Sequence, residues 1–525
     1  MHHINIDIET RSDVDIGKAG VYRYVQSETF AVLLIAYSVD GGRVKVIDVT
    51  KGEDESEVRC LLTDPGYRKH AFNAEFEWVC LRKHTGLPLD PAQWRDTMLH
   101  AAYCGYAGSL QSVGAAMGLP EDQKKLSTGR ALIRLFCTPH KHTTKDTRDW
   151  IQPADEPEKW NLFKEYNRQD VIAERTIWER LATCQVPEMV EIQWRQNLLM
   201  NARGVCVDTQ LVEGAIRAGD TAAQPLREEA QKLTGLENPN SPVQLKKYLT
   251  AQGCTVTTLR QEDLDTLLAD ATLPAKVKRV LAIRKELGKS SIKKYESARN
   301  IVCKDGRAHG LLSFYGARTG RYAGRLIQVQ NLPRTYLHGD VLDTARNLAR
   351  RADYRGLQMV FGSVSDTLSQ LIRTILIPTP GNKFIDADFS SIEKIRKGNP
   401  EYALRQKGKV AVLALGYQGG VGALISMGAL NMGIPEEDLQ GIVQLWRRTN
   451  RRCVTLWKAV ERCAKETIRT GRQTAAGKVL FTREIDTHND FLTIQLPSGR
   501  KLFYVRPAVE QDSITFWGQN QTTRK

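Results

Sequence analysis

Apolar positions recur at two periods along this chain, and the dominant period changes with region. From residue 1 to about 185, short runs of period two alternate with stretches of helical spacing. INIDIET (4–10) and FAVLLIAYSV (30–39) read as strands. YRKHAFNAEFEWVCLRKH (67–84) runs from strand into helix, and PEKWNLFKEYNRQDVIAERTIWERLA (157–182) is one long helix. That order is an α/β pattern. From about 186 to 310 the chain turns mostly helical. KVKRVLAIRKELGKSSIKKY sets Val277, Val280, Leu281 and Leu287 at helical spacing, with lysines and arginines elsewhere around it. From 311 onward strands return between helices. FLTIQLPSGRKLFYVRP reads as a hairpin turning at Pro497-Ser498-Gly499-Arg500. There is no repeat and no low-complexity tract.

Alternation along INIDIET sends Ile4, Ile6 and Ile8 to one face, and Asn5, Asp7 and Glu9 to the other. Two neighbouring carboxylates repel unless a cation lies between them, and hard oxygen donors suit magnesium or manganese. An edge strand with a solvated polar face explains this heptapeptide equally well. Two later motifs break the tie. AFNAEFEWV supplies Asn73 and then Glu77 where a helix begins, and EYNRQD supplies Tyr166 and Asp170 one helical turn apart. Asp96 in WRDTMLH reads as a helix cap that could serve as an outer helper. Cys137, His140 and His142 are close in sequence, but a fourth ligand at metal spacing is absent, so a plain loop is the reading.

The second constellation lies in FIDADFSSIEKIRKGNPEYALRQKGKVAVLALGYQGG (384–420). Asp386 and Asp388 share a strand face, and Glu393 follows. In the next helix Arg405, Lys409, Leu413 and Tyr417 are each four apart, giving one slowly drifting stripe. Two cations, an apolar side chain and a phenol in that order suit a nucleoside triphosphate. The alternative is an amphipathic helix with a solvated basic face, which the apolar character of the opposite face weakens.

Composition adds direction. The net charge of +15 is the footprint of a polyanion partner. Apolar content of 41% and charged content of 26% are those of a soluble globular protein, and 525 residues allow two to four domains. No apolar run is long enough to span a membrane, and MHHINIDIET lacks a signal-peptide pattern. Ten scattered cysteines without a CxxC pair read as reduced, intracellular core residues.

Taken in order, the strand acid pair, the acid at a strand-to-helix junction and the Tyr-x-x-x-Asp helix resemble the DEDD-type 3′–5′ exonucleases of the tyrosine subclass. The resemblance covers about the first 180 residues. It implies a ribonuclease H-like α/β domain in which Asp7, Glu9, Glu77 and Asp170 hold two Mg2+ (or Mn2+) ions and Tyr166 orients the attacking water. The second motif usually ends in Asp; Glu77 stands there, and its extra methylene bears on metal spacing.

The remainder resembles the family A DNA polymerases of phage type. DFSSIE matches the first polymerase motif, RQKGKVAVLALGYQGG the second, and GARTGRYAGRLIQVQNLPR the primer–template segment. The likeness implies an α+β right hand: thumb and connecting helices over 186–310, palm over 311–393 and 451–525, and fingers over 394–450, behind an exonuclease domain over 1–185. Asp388 is then the catalytic metal-binding aspartate, served by two ions. Arg405 and Lys409 contact the triphosphate, and Glu393 crowds the ribose 2′ position. Leu413 stands where the family often has an aromatic ring against the sugar, and Tyr417 lies near the templating base. Thr319, Gly320, Arg321, Gln330, Asn331 and Arg373 meet primer–template DNA, with Lys289 and Lys293 in a basic thumb tract. The implied partners are primer–template DNA, dNTPs and a further processivity factor, in the cytoplasm of a bacterial host.

Two family features are reduced or absent. Only KIRKGNP (394–400) separates the two polymerase motifs, where the family carries a substantial helical segment. The third motif, a His-Asp-Glu turn, is missing; His488-Asn489-Asp490 is not that turn, because it precedes ITFWGQNQTTRK, which resembles the segment before the motif. Residues omitted from this sequence, a deletion, and a degenerate half that only binds DNA are the three explanations. Retention of every motif position in the helix after the gap favours the first. A DNA polymerase with proofreading exonuclease is the expectation. An exonuclease with a DNA-gripping half and a non-enzymatic DNA-binding protein are the rivals.

Overall fold

The computed structural model describes the chain apart from residues 107, 121–128, 145, 255, 257, 260, 271, 289–290, 318, 386–401 and 519–525, and apart from the side chains of 261–262, 291–292 and 402–407. Two compact units emerge. One comprises residues 1–98, 122–175 and 188–384; the other comprises 99–121, 176–187 and 385–525. Residues 99–121 and 176–187, which the sequence pattern assigns to the first segment, thus cluster with the C-terminal part.

The first unit opens on a mixed five-stranded sheet. Strands β1 (His2–Arg11), β2 (Ala31–Val39), β3 (Lys45–Asp48), β4 (Tyr67–Ala71) and β5 (Trp94–Asp96) lie in the order β3-β2-β1-β4-β5. β1 pairs antiparallel with β2 and parallel with β4, and β4 pairs parallel with β5. The strand INIDIET is therefore central, which removes the edge-strand reading. Its isoleucines are in the core, and Asn5 and Glu9 on the opposite face are buried too. Asp7 is directly opposite Ala36 and Glu9 opposite Leu34. Leu34 packs with Phe163 and Tyr166, and Ala36 with Val171, so the helix Pro157–Arg180 covers the polar face of β1. The pairing slips between Glu9 and Thr10, where Leu33 is left unopposed, a bulge of the kind that re-aims side chains.

The rest of this unit is mainly helical. The 26-residue helix Thr209–Thr234 is capped by Asp208, whose carboxylate accepts from Leu211 N. Its Leu211, Val212 and Ala215 pack with Tyr295, Ala298, Leu357 and Leu368. The basic tract forms two helices. Ala275–Leu287 ends at Gly288 and Ser291–Ile301 follows. Val277, Val280 and Leu281 are buried as the spacing predicts, and Ile283 joins them. A short hairpin pairs Leu312–Ser313 with Ala323–Gly324.

In the second unit, five antiparallel strands lie in chain order from Thr474–Ala476 to Ser513–Trp517. Asp490–Gln495 and Lys501–Glu510 form the expected hairpin, with Gly499 at φ 82° in its turn. Cys463, Ala464 and Ile468 of helix Arg451–Thr470 pack with Phe481 and Leu492. The alternate positions Phe491 and Phe503 meet Tyr106 and Tyr103. Helices Tyr402–Leu415, Val421–Ser426 and Glu436–Thr449 share a separate core. All ten cysteines are free thiols, most of them buried. Among the described residues no helix is long and apolar enough to cross a membrane.

Candidate functional site

The central position of β1 and the helix laid over it bring three acids together. Asp7, Glu9 and Asp170 each have a carboxylate oxygen within 4.8 Å of the others'. Glu9 and Asp170 are buried and Asp7 is half-buried. Three carboxylates so close and so poorly hydrated cannot all stay ionised unless a cation or protons intervene. Asn167 Nδ2 donates to Asp7 Oδ2 at 2.7 Å and fixes that carboxylate's rotamer.

Glu77 enters from the first turn of helix Ala74–Thr85. The turn is set by Asn73, which adopts a left-handed conformation at φ 75°. Asp96 Oδ1 accepts from Asn73 N at 3.0 Å and from Met98 N at 2.9 Å. Asp96 is thus a backbone fastener that holds this turn, as its helix-cap reading predicts. Glu77 is 3% exposed and its Oε2 has no hydrogen-bond partner. Burial first, then the charges of Asp7, Asp96 and Glu174, push its carboxyl well above the ordinary range. Glu77 is outside the three oxygens within 4.8 Å, yet it lines the same cleft.

That cleft holds about 670 Å³, with Asp7, Glu9, Glu77 and Asp170 on its polar side and Tyr24, Phe72, Phe76 and Ile133 among its apolar lining. The Tyr166 ring is buried. Its phenol donates to Asp170, and burial, then the charges of Asp170, Glu9 and Asp7, hold it protonated. Behind the acids, Glu174 accepts from Asn5 Nδ2 at 2.7 Å and from Thr97 Oγ1. Burial above all raises its carboxyl to about 7. Asn5, Asn167 and Glu174 escape a reading that looks only for ligands. Their signal was the continuation of the same spacings: Asn5 two before Asp7, and Glu174 four after Asp170.

Cys137 lines the cleft, whereas His140 is 3.1 Å from Asp146 and His142 is 2.9 Å from Asp149. Ordinary loop ion pairs account for both histidines.

The expected nucleic-acid residues fall on exposed surface of the first unit. Thr319, Arg321, Gln330, Asn331, Arg373 and Lys293 are exposed, and Gly320 takes φ 77° in a turn. Arg373 also has a structural role. Its Nε donates to Leu332 O and Pro333 O at 3.0 and 2.9 Å, and its Nη2 to Leu332 O at 2.8 Å. In the second unit, Lys409, Leu413 and Tyr417 are exposed, while Ala414 and Leu415 face the core. Tyr417 follows the end of the helix. Asp386, Asp388, Glu393 and Lys289 lie outside the described residues, as does the side chain of Arg405.

No protein-family model matches the chain. A DNA polymerase of Bacillus phage SP02 is 42% identical over 552 aligned positions, covering 98% of this chain and 84% of that protein. The aligned span exceeds the 525 residues of the chain, so the phage protein has residues with no counterpart here. The fold is similar to that of the POL domain of Pol1 from M. smegmatis, solved in complex with DNA primer-template and dNTP. The TM-score is 0.52 at 16% identity, over 100% of this chain and 80% of that one.

Proposed function

The chain belongs to the family A DNA polymerases of phage type and is a DNA-directed DNA polymerase, and on that premise we propose that its N-terminal part is a 3′–5′ proofreading exonuclease. The observation that carries this reading is the meeting of Asp7, Glu9 and Asp170 within 4.8 Å at the floor of a nucleotide-sized cleft. The sheet order, with β1 central, β2 antiparallel and β4 and β5 parallel to it, supports a ribonuclease H-like domain.

The donor set fits hard divalent cations: clustered carboxylates, and an unpartnered buried oxygen on Glu77. Asp7, Glu9, Glu77 and Asp170 would hold two Mg2+ or Mn2+ ions. When bound, such ions supply a strong nucleophile at neutral pH and screen the charge of the departing 3′ oxygen. Tyr166, protonated and hydrogen-bonded to Asp170, orients the attacking water. Phe72 and Phe76 offer apolar walls to the terminal base, and Asn167 keeps Asp7 in register.

For polymerisation, Asp388 would hold a catalytic metal ion, and Arg405 and Lys409 would neutralise the triphosphate. Leu413 and Tyr417 meet the sugar and the templating base, and Glu393 excludes a 2′-hydroxyl. The exposed set from Thr319 to Asn331, with Arg373, Lys289 and Lys293, grips the duplex, and its cations act by counterion release. The protein works in the cytoplasm of a bacterial host, where a phage genome is copied.

The test is a primer carrying a 3′ mismatch, incubated with Mg2+ and dNTPs. Release of the mismatched mononucleotide before extension supports the reading. Extension of matched primers with no nucleotide release from either substrate contradicts it.

A further inference from the structure

Glu75, two residues before Glu77, is buried and turned away from the acid cluster toward a different set of partners. Its Oε1 accepts from Tyr22 Oη at 3.1 Å and from Asn201 Nδ2 at 3.0 Å. Its Oε2 accepts from Arg325 Nη1 at 2.9 Å. Asn201 also pairs with both backbone groups of Leu312, donating to its carbonyl at 2.8 Å and accepting from its N–H at 3.1 Å. One carboxylate therefore ties helix Ile16–Tyr24 and helix Glu188–Arg203 to both ends of the stretch 312–325.

The chain just beyond Arg325 is strained. Leu326 and Gln328 adopt φ 59° and 45°, a region that non-glycine residues occupy only when their surroundings impose it. The surroundings are visible. Leu326 sits in a notch made by Gly20, whose φ is 77°; a β-carbon there would lie 2.9 Å from Leu326 Cδ1. Gln330 folds over Gly324, where a β-carbon would lie 2.4 Å from its Oε1. Asn331 Nδ2 donates to Gln328 Oε1 at 2.9 Å.

We infer that Glu75 and Gly20 hold residues 325–331 in the strained shape that presents Gln330 and Asn331 to duplex DNA, which makes Glu75 a positioning residue for polymerisation. The inference rests on the reading of Thr319–Asn331 as the primer–template segment. It means that the proposed nuclease half shapes the DNA grip of the polymerase through a contact that no nuclease chemistry requires.

The experiment measures primer–template Kd by fluorescence anisotropy and kcat at saturating DNA, for full-length Glu75→Gln and Gly20→Ala. Each should raise Kd by about tenfold or more, as loosening a preformed contact surface does, and keep kcat within about twofold. Hydrogen exchange in the DNA-free variants should quicken over 323–331 and stay unchanged over helix Thr209–Thr234 of the same unit. Unchanged Kd in both variants, or uniformly faster exchange, overturns the inference. Gln330→Ala combined with Asn331→Ala separates the two layers. If that pair keeps wild-type Kd, the reading of the segment fails; if it weakens binding while Glu75→Gln and Gly20→Ala do not, only the positioning claim fails.

Discussion

Gly129 abuts the ring of Tyr166 so closely that a β-carbon there would lie 2.1 Å from Cε2 and 2.6 Å from Cζ. Both residues are buried, and the ring stacks on Phe163 of its own helix and borders the cleft, so the collision drives it toward the cleft. Gly129→Ala should displace the phenol from Asp170. The expected result is a stability loss of about 1–3 kcal/mol from overpacking. Mononucleotide release should fall roughly 10²-fold, the scale of a misplaced catalytic group, with dNTP incorporation unchanged. Added to Tyr166→Ala, the same substitution should have no further effect, because the ring it collides with is gone. A Gly129→Ala enzyme with wild-type nuclease rate would contradict the arrangement.

Glu77 should reverse its effect on stability with metal. Its buried Oε2 has no partner, and Asp7 repels it. In chelator, Glu77→Met should therefore be more stable than wild type, by about 1 kcal/mol, the low end for an uncompensated buried polar group. With Mn2+ at 100 times Kd the wild type gains about 2.7 kcal/mol from binding, whereas a variant binding about 100-fold more weakly gains about 0.4 kcal/mol, so wild type becomes the more stable. Denaturant melts in the two conditions check this, and an order of stability that does not change between them would count against Glu77 as a ligand.

Glu174 makes a pH prediction. Its folded carboxyl titrates at about 7, against 4.5 for the ordinary group, chiefly through burial. A raised acid favours the fold while protonated. Its contribution is unaffected below pH 4.5 and is lost as pH rises toward 7, by about 3 kcal/mol in all. Glu174→Gln removes that slope. Its amide oxygen can still accept from Asn5 and its amide nitrogen can donate to the Thr97 hydroxyl, so both contacts are kept. Urea titrations in chelator between pH 4.5 and 8 should show wild type losing stability relative to the variant. Parallel curves would refute the assignment.

The meeting of Asp7, Glu9 and Asp170 was legible because two elementary periods carried these positions. Period two placed Asp7 with Glu9, and period four placed Tyr166 with Asp170. What periodicity could not supply was which strand lies at the centre of the sheet, and so whether a polar face is solvated or covered. The bulge at Glu9, the notch at Gly129 and the fastening of Asn73 by Asp96 are tertiary facts of the same kind. So is the grouping of 99–121 and 176–187 with the C-terminal sheet, where Tyr103 and Tyr106 pack on Phe503 and Phe491. The basic tract was legible as helical, but its division at Gly288 into Ala275–Leu287 and Ser291–Ile301, whose Tyr295, Ala298 and Ile301 are buried in a different core, was not. Arg373 was singled out only as a DNA-binding cation, and its grip on the carbonyls of Leu332 and Pro333 depends on residues forty positions away. The shortened join at 394–400, so plain in the sequence, falls outside the described residues.

The central claim is that one chain carries two separable active sites, and Asp7→Ala tests it most directly. The substitution removes one of the three converging carboxylates and leaves Glu75, Arg325 and the exposed residues proposed to face DNA in place. The measurement follows, in one Mg2+ reaction, mononucleotide release from a 3′-labelled mismatched primer and dNTP incorporation on a matched one. The account predicts that Asp7→Ala abolishes release and keeps incorporation and primer–template Kd within about twofold of wild type, as independent sites do. Release at the wild-type rate by Asp7→Ala, or loss of both activities together in a folded protein, would contradict it.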